Sequence, residues 1–295
     1  MESVSRMSSA TIRSGSIDSS QQVRSSLFRK RLGPAIAAAA ALIAVAVWIP
    51  ALITGRSTEM PVGDLPGWKQ TGAQDFTTVA SPGRVGDVYG AEMRGYSGFA
   101  DSSGRGSYAP DEVLSVSDGT LDYFLHAAAG SPRVASVIPF GYIGQTYGRY
   151  SIRFRYDSMP GYKIAFLLWP VSDNWNEGEI DWPEGGLDGP LYGGSAVKGS
   201  LAIGAMKFDP PERIFTPTGP GDWHVATTEW TPGKVQWLFD GRLIDQTTLP
   251  SGVPDTPMRW TLQAETSDRA NGTYPAAGTS GHLQIDWAVQ YAYAP

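Results

Sequence analysis

Residues 178–186 read GEIDWPEGG and place Glu179, Asp181 and Glu184 within six positions, with no Lys or Arg among them. Ile180, Trp182 and Pro183 stand among the acids, and the run is expected to be a strand, with a calcium-binding acidic loop or a solvated acidic turn as the alternatives. Successive side chains on a strand point to opposite faces. Glu179 and Asp181 then share one face, and Ile180 and Trp182 pack into a core behind it. Glu184 lies five positions after Glu179 and falls on the wrong face of a regular strand. One extra residue, a β-bulge, returns it to the face of the other two acids. Pro183 suits that position, because a residue without an N–H is tolerated in a strand at bulges and edges.

Working outward, the texture from about residue 71 is uniform. Short runs of β-branched and aromatic residues alternate with clusters of Gly, Pro, Asp and Ser. Strands are expected at 120–126, 149–156, 163–169, 178–184, 199–205, 223–230, 234–239, 258–264 and 282–293. In RYSIRFRY (149–156), Ile152 and Phe154 face one way and Arg153 and Arg155 the other. Asp240-Gly241, between two apolar runs, is a hairpin signal. No helical period lasts more than two turns in this region, and no internal repeat is visible. These features predict an all-β antiparallel sandwich over 71–295.

Composition agrees. The 295 residues include 35 Gly, 22 Pro, ten Trp and thirteen Tyr, a profile of many turns and abundant aromatic surface. There is no Cys, which excludes disulfides, a thiol nucleophile and thiolate-bound zinc. The three His (His126, His224, His282) are widely spaced, which argues against an imidazole metal site. Of a net charge of −6, residues 1–32 contribute +4, so the remainder carries −10. A domain that acidic is a poor nucleic-acid binder, since phosphate contacts need clustered Lys and Arg.

The N-terminal part has its own character. Residues 1–32 are rich in Ser and Arg and are expected to be a disordered cytoplasmic tail. Residues 33–54 include 21 consecutive uncharged positions, 34–54. At 1.5 Å per residue these reach roughly 30 Å, the thickness of a bilayer core. FRKR (28–31) precedes them, and the positive-inside rule then puts the tail in the cytoplasm and the bulk of the chain outside. The segment is expected to be an uncleaved transmembrane signal anchor in the cytoplasmic membrane, with a cleaved signal peptide and secretion as the alternative. Residues 55–70 read as a linker.

Crowded carboxylates are a chemical device. Like charges close together, next to apolar groups, hold at least one proton to higher pH than usual. One carboxylate can then act as nucleophile while another stays protonated as general acid, the arrangement used in glycoside hydrolysis. Glu179 and Glu184 are effectively four strand steps apart, roughly 13 Å between Cα atoms. Long side chains leaning inward reach either a retaining or an inverting separation, so spacing alone leaves both open.

The surroundings narrow the reading. EIDWPE resembles the bulged signature of glycoside hydrolase family 16, the laminarinase-like and lichenase-like β-glucanases. YGRYSIRFRYDSMPG (147–161) followed by IAFLLWP (164–170) resembles the strand pair before that signature. WHVATTEWTPGKVQWLFDGRLI (223–244) is similar to the segment behind the cleft, and QIDWAVQYAY (284–293) to the terminal strand. The resemblance covers roughly 75–295 and implies a jelly roll with a concave cleft and a retaining, endo-acting mechanism. It makes Glu179 the nucleophile, Asp181 the assisting acid and Glu184 the acid/base. Two departures stand out. GYKIAFLL (161–168) has Lys163 and Leu167 where many members carry Trp, and GSLAIGAM (199–206) has no His where many have one on the strand after the signature.

Other residues follow from this reading. Trp169 and Trp175 flank the acidic strand and are candidates for stacking on sugar rings. Gln263 and Glu265 are candidates for hydrogen bonding to hydroxyls. Trp182, Trp230, Trp237 and Trp287 are expected in the core, and His224 in a structural hydrogen bond. No cofactor is required, although Asp286 matches a position that in the family often helps hold a structural calcium. The expected partner is a polysaccharide, most simply a β-1,3- or mixed-linkage β-1,3-1,4-glucan, bound by a monomer. The alternatives are a transglycosylase remodelling the producer's own surface polymer, a non-catalytic carbohydrate-binding sandwich and a calcium-dependent adhesion sandwich.

Overall fold

The computed structural model describes residues 59–128, 130–211, 220–267 and 274–295. The anticipated tail and the membrane-spanning segment 33–54 lie outside the described residues. Among the described residues no helix is long and apolar enough to cross a membrane.

Fifteen strands follow one another along the described chain: β1 (Trp68–Gln74), β2 (Ser107–Tyr108), β3 (Leu114–Ser117), β4 (Thr120–Ala128), β5 (Ser131–Val137), β6 (Gly148–Tyr156), β7 (Tyr162–Pro170), β8 (Ile180–Gly186), β9 (Tyr192–Ala196), β10 (Phe208–Asp209), β11 (His224–Thr231), β12 (Lys234–Phe239), β13 (Arg242–Thr247), β14 (Met258–Thr266) and β15 (Gly281–Tyr293). Pairing is antiparallel except between the short β2 and β5. The hydrogen-bonded order is β10-β9-β8-β7-β14-β5-β4-β15-β6-β11-β12-β13, with β1 on β15 and β3 on β4. One continuous sheet therefore folds over on itself through the β4–β5 pair and closes into a jelly-roll-like sandwich. One wall is β9-β8-β7-β14-β5, and the other is built on β4-β15-β6-β11-β12-β13.

Alternation assigns the faces. On β7, Ile164, Phe166 and Leu168 are buried in the core, and β14 adds Trp260, Leu262 and Ala264. From the opposite wall come Tyr150, Ile152 and Phe154 of β6. The two layers meet through aromatic pairs, with Phe154 to Phe166 at 5.9 Å and Tyr150 to Trp260 at 5.5 Å between ring centroids. Each ring buried here contributes on the order of 1.5–3 kcal/mol over exposure. Arg153 and Arg155 point away from this core, as their alternation predicts, and both stack on Trp223.

The hairpin signal holds. Phe239 pairs with Arg242, and Asp240 and Gly241 between them have φ of 48° and 76°. A two-residue turn with both φ positive matches the twist of its flanking strands. Trp182, Trp230, Trp237 and Trp287 are all buried.

Two expectations are corrected. Residues 199–205 are not a strand; Leu201–Ile203 form a 3-10 turn closed by Gly204 at φ 77°. Its apolar alternation covers no core, since Ile203 is 78% exposed. The strand after the acidic one is instead β9, YGGSA, so GSLAIGAM is not the place to seek that strand's His. The linker expected to run to residue 70 also ends early. β1 starts at Trp68, and Leu65 and Trp68 exchange backbone hydrogen bonds of 2.9 and 2.8 Å. Pro and Gly spacing suggests a linker, but the apolar Met60, Leu65 and Trp68 pack on Trp287, Val289 and Tyr291 of β15.

Candidate active site

The bulge lies where the sequence places it. Against β7, Asp181 pairs with Leu167 and Glu184 with Ala165. Against β9, Asp181 pairs with Gly194 and Glu184 with Tyr192. On both sides β8 spends three steps where its neighbour spends two, so Trp182 and Pro183 contain the extra residue. Glu184 thereby rejoins the face of Glu179 and Asp181, while Ile180 and Trp182 enter the core. The Trp182–Pro183 peptide is cis. Trp182 is pinned from the far wall, its indole donating to the Leu238 carbonyl at 2.9 Å and its ring lying edge-on to Phe239. Gly193 of β9 makes room: a Cβ there would meet the Asp181 carbonyl oxygen and the Trp182 ring at 2.9 Å each.

Glu179 and Glu184 line a cleft of about 410 Å³. Its floor is the set of alternate residues that face away from the core on β7 (Lys163, Ala165, Leu167, Trp169) and β14 (Arg259, Thr261, Gln263, Glu265). Tyr96, Phe99 and Ser102 form a rim from the loop before β2. Two cations face the cleft, and both are paired with carboxylates. Lys163 Nζ lies 3.3 Å from Glu184 Oε1 and 3.8 Å from Glu265 Oε2, and Arg259 donates to Asp173 at 2.6 Å.

Glu179 is the electrostatic centre. Burial pushes its carboxyl up to about 7. The Glu184 charge pushes in the same direction, while hydrogen bonds from the Trp175 indole and with Asp181, and the charge of Lys163, pull it back. Asp181 is itself buried. Glu179 is thus the acid that holds its proton up to neutrality and becomes a carboxylate only above about pH 7, with Glu184 beside it in the same cleft.

The expected sugar-contact residues divide. Trp169 and Gln263 line the cleft, and Trp169 also donates to Asp173 at 3.1 Å. Trp175 is buried instead of presenting a stacking face. It packs edge-on to Phe208, and its N–H is spent on Glu179. Glu265 faces the cleft wall but is buried and bonded to Ser102, Tyr108 and Lys163. Asp286 lies on the other wall, its carboxylate paired with Arg153. Among the described residues no three His, Asp or Glu side chains cluster to hold a metal ion. His224 is buried and bonds Asp240 at 3.0 Å, a structural contact as expected. The aromatic rim was missed. Tyr96 and Phe99 sit 5.8 Å apart in a Gly- and Ser-rich loop without strand pattern, and only their isolation among small polar residues marks them.

A jelly roll with paired carboxylates on one bulged strand of a cleft defines a class, the glycoside hydrolases. The glycosyl hydrolases family 16 profile matches residues 109–289, more than half of the chain, and the chain belongs to that family. It is 29% identical over 117 residues to a beta-glucanase of Rhodothermus marinus, a match covering 37% of this chain and 40% of that protein's length. The solved laminarinase from Rhodothermus marinus superposes with a TM-score of 0.62 at 20% identity, covering 77% of this chain and 98% of the other. A LamA variant from Zobellia galactanivorans, crystallised with laminaritriose and laminaritetraose, gives a TM-score of 0.59 at 16% identity, covering 75% and 98%. At these identities the structures speak for the fold.

Proposed function

We propose that the chain is a retaining, endo-acting glycoside hydrolase that cleaves an uncharged β-glucan with β-1,3 or mixed β-1,3-1,4 linkages. The observation that carries this is the bulge in β8, which puts Glu179 and Glu184 on one cleft-facing side of a family 16 jelly roll. Ionised Glu179 attacks the anomeric carbon while Glu184 protonates the departing oxygen. The resulting glycosyl ester on Glu179 is hydrolysed by water that Glu184, now a carboxylate, deprotonates. Asp181 and the Trp175 indole hydrogen-bond Glu179 and favour its anion. Family membership supports retention, and the relatives' names together with the laminaritriose and laminaritetraose bound by one of them support the substrate class. The charge of the cleft supports an uncharged polymer, because both of its cations are already engaged with carboxylates. Phe99, 54% exposed at the rim, and Trp169 offer faces for sugar rings.

The test is release of oligosaccharides, read by mass, from laminarin and barley mixed-linkage glucan. The expected result is cleavage of at least one, abolished in Glu184→Gln and Glu179→Gln. Tight retention of the polymer without cleavage would favour a binding module.

The same reading extends to location. Residues 33–54 serve as a signal anchor that holds the hydrolase outside the cytoplasmic membrane, on the strength of their length, their apolarity and the FRKR flank. The full chain should stay with membranes through a high-salt wash, and release of a shortened chain would identify a cleaved signal instead.

A further inference from the structure

Lys163 is an unusual tenant of its strand. It lies on the cleft face of β7, followed on that face by Ala165 and Leu167, and its side chain is only 10% exposed. Burying an ammonium costs more than burying the apolar groups that fill the neighbouring positions, so a buried ion pair is poor evidence of a contribution to stability. Its surroundings are nonetheless built. Glu265, from β14, is 1% exposed and held by the Ser102 hydroxyl at 2.5 Å and by the Tyr108 hydroxyl. Lys163 bridges that fixed carboxylate to Glu184.

Resting on the hydrolase reading above, we infer that Lys163 and Glu265 form a charge-balanced positioning pair for the acid/base. Lys163 holds Glu184 over the cleft, and Glu265 neutralises Lys163, so that Glu184 keeps the proton it must deliver. Lys163 alone would favour the Glu184 anion, which helps the water step and starves the protonation step. Glu265 restores the balance between the two half-reactions.

Glu184 meets Lys163 from β7 and feels the charge of Glu179, which lies just before β8 and is hydrogen-bonded with Asp181; through Lys163 it is linked to Glu265 from β14. Glu265 meets Lys163, Ser102 and Tyr108, and Arg259 further along β14 is occupied by Asp173.

The test uses the full chain, labelled with carboxyl-13C glutamate, and follows the Glu184 signal, identified by its loss in Glu184→Gln. This readout needs no substrate. Lys163→Met should move the Glu184 titration midpoint upward by about one pH unit, and Glu265→Gln, which keeps the side chain's shape and removes its charge, should move it downward. The double variant should return toward the wild type, and Lys163→Arg should leave the midpoint in place. The kcat/KM–pH profile on the cleaved glucan should follow in the same opposite directions. A purely structural pair would lower activity without moving the limbs. Unchanged midpoints in the isosteric Glu265→Gln overturn the inference even if the wild type is active. A wild type inert on every glucan overturns the hydrolase reading instead, whatever the midpoints do.

Discussion

At the scale of the residue, Glu179 sets a conflict between stability and chemistry. Its folded-state value of about 7 lies above the ordinary 4.5. A carboxyl raised on folding supports the fold most when protonated in both states, and that support is lost as pH rises through about 7. Glu179→Gln buries a neutral amide instead. Its stability advantage over the wild type should therefore be absent near pH 4, grow between about pH 4.5 and 7 and level off above, reaching about 1–3 kcal/mol. Denaturant titrations at pH 4, 6 and 8 measure this, and activity should be lost throughout. The same ionisation predicts that kcat/KM of the wild type falls as pH drops below about 7. Trp175→Phe removes an N–H that favours the anion, so this acidic limb should move to higher pH. An unmoved limb would show that the indole does not act on Glu179. That Glu179 and Glu184 share a cleft-facing side was legible in the sequence from their spacing and Pro183. The role of Trp175 was not, because a Trp beside an acidic strand reads equally as a sugar platform, and only its burial against Phe208 separates the two.

At the scale of the element, the bulge is the device, and it was readable because Pro183 and the five-residue spacing agree. Deleting Pro183 should restore regular alternation and turn Glu184 toward the core. Activity should fall at least about 1,000-fold, as expected when a catalytic group is removed, with near-native circular dichroism if the strand reforms. Retained activity would mean that Glu184 reaches the cleft by some other route. The supporting strand β9 was illegible. Gly193 and Gly194 have poor strand propensity, and what selects Gly193 is room beside the bulge and Trp182, a tertiary requirement, while Gly194 lies against Phe208. The opposite error at 199–205 has the same origin, since Leu201 and Ile203 alternate like a strand with no core to cover.

At the scale of the molecule, the sandwich gathers cleft residues from β7, β8, β14 and the loop before β2, widely separated in sequence. Strand character came from local alternation, but the order that sets β14 between β7 and β5 is long-range pairing. The Lys163–Glu265 contact was therefore invisible until the walls were assembled. The two walls are held by rings, and Phe166→Ala at their junction should cost about 3–5 kcal/mol in denaturant unfolding, with activity at low temperature retained. The most direct measurement is proton NMR of the first products released from laminarin or mixed-linkage glucan by the full chain, with Glu179→Gln as control. Paired carboxylates acting through a glycosyl ester predict reducing ends that first appear as the β anomer and no product from the variant. Initial α anomers, or undiminished cleavage by Glu179→Gln, would contradict it.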